Sequence, residues 1–303
     1  MGGTEQMKYG LQSRLDPELM DQFQIICSRV REIDTNTIPI YWLHDLPQDP
    51  ESQHLAQGGY SKFESLVFVS NWQMQNYINH YGIPWYKCNV LQNAIDPIPY
   101  KEKPTDKVRL IYHTTPHRGL NLLVTAFVEL AKEDKNIELD VYSSFEIYGW
   151  KQRDEPYEHL FNICKEHPQI NYHGFQPNAV VREALQQAHI FAYPSIWLET
   201  SCIAMMEAMS AGCLCVHPNY GALHETASNM TCMYQFVEDP RDHVTAFYYN
   251  LKGAIEAIKE QKVQQLLANT KAYADVFYSW PRRIEQWNTF LEKILAKKKR
   301  KSF

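Results

Sequence analysis

The chain has 303 residues, about twice an ordinary single-domain length, which predicts two domains. Apolar residues make up 45% and charged residues 21%, so a disordered chain is excluded, and no run approaches the ~18 uninterrupted apolar residues of a membrane span. The net charge of −5 is uneven: Lys297-Lys298-Lys299-Arg300-Lys301 carries +5 and leaves −10 on the rest, which argues against a nucleic-acid-binding body.

Short β-branched or aromatic runs alternate with longer amphipathic stretches, the pattern of an α/β protein with parallel sheets. In the first third, strands are predicted at 23–28, 38–43, 66–70 and 89–92, and helical patterns at 5–14, 60–64 and 71–81. Gly82-Ile83-Pro84 is the stop signal for the last of these. Residues 93–104 hold three prolines and mixed charges and read as an interdomain linker. A second α/β unit follows. Its strands are predicted at 108–113, 137–142, 170–172, 190–193, 213–216 and 233–236, with helices at 119–133, 156–167, 179–187, 202–211 and 222–228. The final stretch is helical, at 243–260, 263–275 and 281–295. The chain opens on Gly2-Gly3, with no residues before it from which to build the strand that a Gly-rich nucleotide turn normally follows. The expectation is a reduced first domain or further residues upstream.

The start, Met1-Gly2-Gly3-Thr4-Glu5, lacks the basic and apolar regions of a secretory signal. Cys27, Cys88, Cys164, Cys202, Cys213, Cys215 and Cys232 show no paired Cys-x-x-Cys spacing and read as reduced core thiols. Both features predict a cytoplasmic protein. The basic run 297–301 has two readings, a solvated end or a weak contact with acidic lipid heads that would make the protein peripheral to a membrane.

The stretch 193–212 carries the most chemistry. A strand ends at Pro194, a loop bears Glu199, and Thr200 or Ser201 is placed to cap a helix that Gly212 closes. Between cap and stop nearly every residue is small or apolar, so the helix is expected to be buried, with Glu207 as its one carboxylate. A buried carboxylate needs donors or a shifted pKa. Ligand hydroxyls are one solution and a structural Lys or Arg is the other. The backbone N–H groups at Ser201, Cys202 and Ile203 are expected to form an anion site. Glu199, just before them, suits a neutral hydroxyl-rich group beside a phosphate.

Glu199 and Glu207 have the Glu-x₇-Glu spacing of retaining glycosyltransferases with the GT-B fold, and the chain resembles the large glycosyltransferase family four. The resemblance continues in order along the chain. It includes Val69-Ser70-Asn71-Trp72-Gln73, Tyr81-Gly82-Ile83-Pro84, Asn93-Ala94-Ile95-Asp96 (Ala where the family has Gly) and Arg118-Gly119-Leu120. It ends in Gly221-Ala222-Leu223-His224-Glu225-Thr226, Ser279-Trp280-Pro281 and Trp287. It implies two Rossmann-like domains facing a central cleft, the first one reduced. Residues 1–97 are the acceptor-side domain, 98–280 the nucleotide-sugar donor domain, and 281–303 a helix crossing back plus the basic tail.

The resemblance also implies roles. Glu199 contacts the sugar hydroxyls of a nucleotide-sugar donor and Glu207 the ribose hydroxyls. Gly2 and Gly3 match a loop near the donor phosphates, and Arg118 matches the residue that stabilises the departing diphosphate. The amides at 201–203 and Arg118 suit charge that grows on a leaving phosphate. An exposed helix-start residue is the alternative for Arg118. No Asp-x-Asp occurs, so no metal and no cofactor are expected.

His44-Asp45 follows a predicted strand, at the strand end where ligands gather in open α/β sheets. His44 is thus the candidate for contacting the transferred sugar or the acceptor, and a structural histidine is the alternative. His113, Thr114 and Thr115 occupy the analogous place in the second domain, where the family commonly has Gly-Arg. One phosphate-binding Arg is therefore missing, and Thr114 stands as the donor-side candidate. Phe175 either abuts the base or is a core residue.

The reading is retaining, metal-independent transfer of a hexose-type sugar from a nucleoside diphosphate donor to a glycan, lipid or small-molecule acceptor. In the front-face mechanism implied by the family, the leaving phosphate assists acceptor deprotonation. Two rivals remain: a non-catalytic nucleotide-sugar-binding subunit, favoured by the small first domain, and a nucleotide-sugar epimerase on the same fold.

Overall fold

The computed structural model describes residues 2–301. The chain divides into two compact units: the residues up to Ile95 together with those from Phe277 onward, and Asp96–Val276.

The first unit begins with α1 (Gly3–Gln12), α2 (Pro17–Met20), β1 (Phe23–Cys27) and β2 (Ile38–Leu43). A 3₁₀ segment over Pro50–Lys62 leads to β3 (Ser65–Phe68), α3 (Asn71–Tyr81), a 3₁₀ turn at Trp85–Lys87 and β4 (Cys88–Val90). The strands pair in parallel in the order β1-β2-β3-β4. The region 60–64, expected to be helical, is the end of the 3₁₀ segment and an extended exit. Gln57 and Gly58, at φ 53° and 83°, break that segment, so no α-helical run develops. Ser70 caps α3 by accepting from the Gln73 amide, and Gly82 ends it in the left-handed region at φ 65°.

The last helix, α11 (Trp280–Lys301), belongs to this unit. Tyr278 carbonyl accepts from the Ile95 amide at 2.8 Å, which brings the returning chain alongside. Trp280 then packs on Gly10, where a Cβ would lie 2.1 Å from the ring, so α1 needs glycine there. Trp287 meets Trp42 edge-on at 5.1 Å. The expected helix end at 295 is overrun. Lys and Arg are good helix formers, and positive charge is favoured at a helix C-terminus, so the basic run continues the helix instead of forming a separate tail.

The second unit holds β5 (Val108–Tyr112), α4 (Leu120–Glu133), β6 (Ile137–Val141), α5 (Glu158–Glu166), β7 (Ile170–Tyr172), α6 (Asn178–Gln187) and β8 (Ile190–Ala192). It continues with α7 (Ile203–Ser210), β9 (Leu214–Pro218), α8 (Leu223–Ala227), β10 (Cys232–Tyr234), α9 (Pro240–Ala257) and α10 (Gln261–Phe277). All pairings are parallel, in the order β10-β9-β8-β5-β6-β7. The strand order reverses between β8 and β5, which makes that junction the switch point where ligands bind in open α/β sheets.

The proline-rich stretch after Ile95 is not free. Arg182 donates to the Asp96 and Pro97 carbonyls at 2.8 and 3.3 Å, Ser210 Oγ accepts from the Ile98 amide at 2.8 Å, and Gln186 reaches the Pro99 carbonyl at 2.7 Å. Proline removes backbone donors, so side chains of α6 and α7 hold this segment onto the unit.

Candidate functional site

The switch point of the second unit brings together Thr114, Arg118 and Glu199 of the expected donor-side residues. The loop after β5 carries Thr114, Thr115 and Arg118, and the loop after β8 carries Glu199. Two glycines let these loops meet. At Gly119, φ is 123° and a Cβ would sit 2.2 Å from the Pro194 carbonyl oxygen; at Gly221, φ is 60° and a Cβ would sit 2.6 Å from the Glu199 carbonyl oxygen. Only glycine tolerates both the backbone angle and the approach. The Ile196 amide then donates to the Arg118 carbonyl at 3.2 Å, and the Ala222 amide to the Glu199 carbonyl at 2.7 Å.

Glu199 is 5% exposed. Its Oε1 accepts from Arg118 Nη1 and from the Tyr193 hydroxyl. Arg118 also lies over the Trp197 ring, 5.6 Å from its centroid. Burial works against the Arg118 charge, but the Glu199 carboxylate outweighs it and holds the guanidinium well above its ordinary pKa. The same carboxylate adds to burial in holding the Tyr193 phenol protonated. Arg118 is thus no exposed helix-start residue; it is one side of a half-sequestered ion pair. Tyr193 was not foreseen as a partner. The available signal was that a buried tyrosine needs a place for its hydroxyl.

The helix cap differs from expectation. α7 starts at Ile203, its N-cap is Cys202, and neither Thr200 nor Ser201 serves. Both lie half-buried in the preceding loop. Cys202 takes extended dihedrals and its carbonyl accepts from the Met206 amide at 3.1 Å, so the amides at the helix mouth are those of residues 203–205, not 201–203. Burial pushes the Cys202 thiol up, with Glu199 adding to it.

Glu207 lies on buried α7 and has a protein partner. Arg182 Nη1 donates to its Oε1 at 2.9 Å and Asn178 Nδ2 at 3.4 Å, from one face of α6 at i, i+4 spacing. Burial still raises the Glu207 carboxyl, with Arg182 pulling against it. Sequence reasoning left ligand or structural cation open. The structure supplies the cation, and Oε2 accepts no hydrogen bond from the described residues. Around the same mouth His113 Nε2, Thr114 Oγ1, Thr115 Oγ1 and His117 Nδ1 are buried without a hydrogen-bond partner. Orphaned buried polar atoms are costly until water or a bound group pairs with them. Phe175 is half-buried in the loop between β7 and α6.

The remaining expected residues lie in the first unit. Gly2 is the N-cap of α1, and Gly3 its first residue. His44 follows β2. Its Nδ1 is 3.5 Å from Cys27 Sγ, and its ring lies 4.6 Å from that of Trp42. Asp45 follows. Burial raises its carboxyl, and its carbonyl accepts from Gln73 and Tyr77.

Burial lowers the pKa of His44, His113, His117, His189, His217 and His243 to about 4. Their unfolded values are near 6.5. The unfolded chain therefore binds more protons below 6.5, and the stability these residues contribute is complete above that pH and lost as pH falls toward 4. Asp45 and Glu207, with raised pKa values, run the other way but are outnumbered. Melting temperature is expected to fall steadily from pH 6.5 downward; a flat profile over that window contradicts the buried neutral state.

Residues 99–247 match the family described as glycosyl transferases group 1. One subunit of phosphatidylinositol N-acetylglucosaminyltransferase, from Arabidopsis thaliana, is 25% identical over 203 residues, which is 63% of this chain and 42% of that protein. The chain thus matches well under half the length of that relative. Among solved structures, a glycosyltransferase from Rickettsia africae shares the fold at a TM-score of 0.73 and 14% identity, over 96% of this chain and 81% of that one. Anabaena HepE in complex with UDP does so at 0.67 and 16%, over 85% and 72%.

Proposed function

With a glycosyl transferases group 1 domain over residues 99–247, this chain, we propose, transfers a sugar from a nucleoside diphosphate donor to an acceptor hydroxyl, with retention and without a divalent metal. The observation that carries the reading is the Arg118–Glu199–Tyr193 cluster at the β5/β8 switch point. Arg118 spends one N–H on Glu199 and has further donors for the leaving diphosphate. The amides of 203–205 and the orphaned Thr114 and Thr115 hydroxyls supply more. Negative charge grows on the diphosphate as the anomeric C–O bond breaks, so these groups stabilise the transition state more than the ground state. Glu199 positions the sugar hydroxyls and Glu207 Oε2 the ribose. The acceptor oxygen bonds to the anomeric carbon on the face the diphosphate leaves, and its proton passes to the leaving phosphate. Gly2, Gly3, His44, Asp45 and Phe175 keep their expected contacts in this reading. His44 acts as a neutral hydrogen-bonding group.

A second reading, a protein that binds the donor without turnover, has one observation in its favour: Glu199 already neutralises Arg118.

The test is a thermal-shift screen of UDP, GDP and ADP sugars, beginning with UDP-N-acetylglucosamine, followed by turnover of the radiolabelled donor with and without EDTA. One nucleotide series is expected to raise the melting temperature by mass action, and its label is expected to leave the nucleotide equally fast in EDTA. Binding without turnover selects the second reading, and epimer formation selects the epimerase. Loss in EDTA restored by Mg²⁺ or Mn²⁺ overturns metal independence, and no shift with any donor overturns the proposal.

A further inference from the structure

At the amino ends of β3 and β4, in the first unit, two adjacent aromatics stand in solvent. Trp85 is 62% and Tyr86 77% exposed, on the 3₁₀ turn that leads into β4. Their neighbour Lys87 folds inward and donates from Nζ to the Phe63 and Glu64 carbonyls at 2.5 and 3.5 Å. Lys298 of α11 reaches the Glu64 carboxylate at 3.4 Å. Glu64 therefore lies between the aromatic turn and the basic end of α11, and Lys298 neutralises it. Lys62, Lys297, Lys299 and Arg300 are exposed around the same region.

We propose that this face, Trp85-Tyr86 together with the Lys297–Arg300 end of α11, is a docking surface for an anionic membrane. The aromatics suit the headgroup level, where tryptophan and tyrosine concentrate, and the basic run suits an acidic leaflet. Apolar burial and attraction to anionic lipid add in surface binding, so the two features together hold the face more strongly than either alone. Charge complementarity selects the occupant. The chain outside 297–301 carries −10, which repels a polyanion lying along it, whereas a bilayer touches only the face presented. Among the described residues no helix is long and apolar enough to cross a membrane, so this contact is with the surface. His44 and Asp45 follow the carboxyl end of β2, at the opposite edge of the same parallel sheet, and docking leaves that edge open.

The test is co-sedimentation of the full chain with phosphatidylcholine vesicles, with and without phosphatidylserine, at low and physiological salt. Binding is expected only with phosphatidylserine and is expected to weaken with salt. Lys297→Gln, Lys299→Gln and Arg300→Gln should each weaken it on the order of fivefold. Trp85→Ser with Tyr86→Ser should weaken it roughly tenfold or more, since both lose apolar burial. All of these side chains are exposed, so unchanged melting temperatures are the control. Equal sedimentation of the aromatic variant, equal binding to neutral vesicles, or preference for a single-stranded oligonucleotide over vesicles each overturns the proposal.

Discussion

Replacing Arg118 by alanine is expected to lower turnover about a hundredfold or more, the scale of a lost oxyanion donor. Arg118 is the cation at the switch point that both partners a buried carboxylate and retains free N–H groups. The His113-Thr114-Thr115 segment has no second arginine to share the load. The substitution also strands Glu199, whose remaining partner is the Tyr193 hydroxyl. Removing one member of a buried pair costs about 3–5 kcal/mol. Stability and catalysis are separable through a cycle. Arg118→Met with Glu199→Leu and Tyr193→Phe should recover much of the melting temperature, because apolar groups replace the ion pair and no buried hydroxyl is stranded, yet turnover should stay at the single-variant level. Arg118→Lys should restore part of the rate, as charge returns without the planar fork. Wild-type turnover in folded Arg118→Ala protein would remove the residue from the site and favour donor binding without transfer.

Replacing Arg182 by methionine should be nearly as damaging, through a different route. Arg182 holds Glu207 by Nη1 and the Asp96 and Pro97 carbonyls by Nη2. Without it, Glu207 keeps Asn178 at 3.4 Å and faces the like charge of Asp96, while burial continues to raise its carboxyl. A loss of about 3 kcal/mol in stability is expected. If Glu207 takes ribose hydroxyls, nucleoside diphosphate affinity should fall by ~1–3 kcal/mol, because a protonated carboxyl is a poorer acceptor. The loss should be larger at acidic than at alkaline pH, since raising pH through the elevated carboxyl pKa restores the carboxylate. Glu207→Gln in the same background should recover stability without recovering affinity. Calorimetric titration across pH and melting curves check both. Unchanged affinity and an unchanged pH profile would assign Arg182 and Glu207 to packing alone.

Much of the site was legible because its signals are local. Asn71–Tyr81 is bounded by Ser70 and Gly82, whose capping and left-handed conformations are written in residue type. Ile170–Tyr172 is a β-branched and aromatic run. Glu199 and Glu207 stand out because a carboxylate among small apolar residues is chemically anomalous wherever the chain folds. The cap of α7 was misplaced because Thr200 and Ser201 have the better capping chemistry, yet the loop that brings Glu199 to Arg118 delays the helix to Ile203. α11 runs past the expected end at 295 because the apolar pattern that bounds a helix in sequence stops there, while a basic run is itself a favourable helix C-terminus.

By itself, then, the sequence determined the alternation of strands and helices, the carboxylate pair and the glycines that punctuate them, since each depends on backbone preference within a few residues. Which charges meet is a different matter. Arg118 and Glu199 are 81 residues apart, and Arg182 and Glu207 are 25 apart. Their meeting follows from the strand order, which sets β5 beside β8 and places α6 against α7. Gly119 and Gly221 are intelligible only there, because what forbids a side chain is the backbone of another loop, at Pro194 and at Glu199. Partner choice for a buried charge is settled by desolvation. Every buried ion must find the donor the sheet order brings within reach, and no local pattern encodes which one that is.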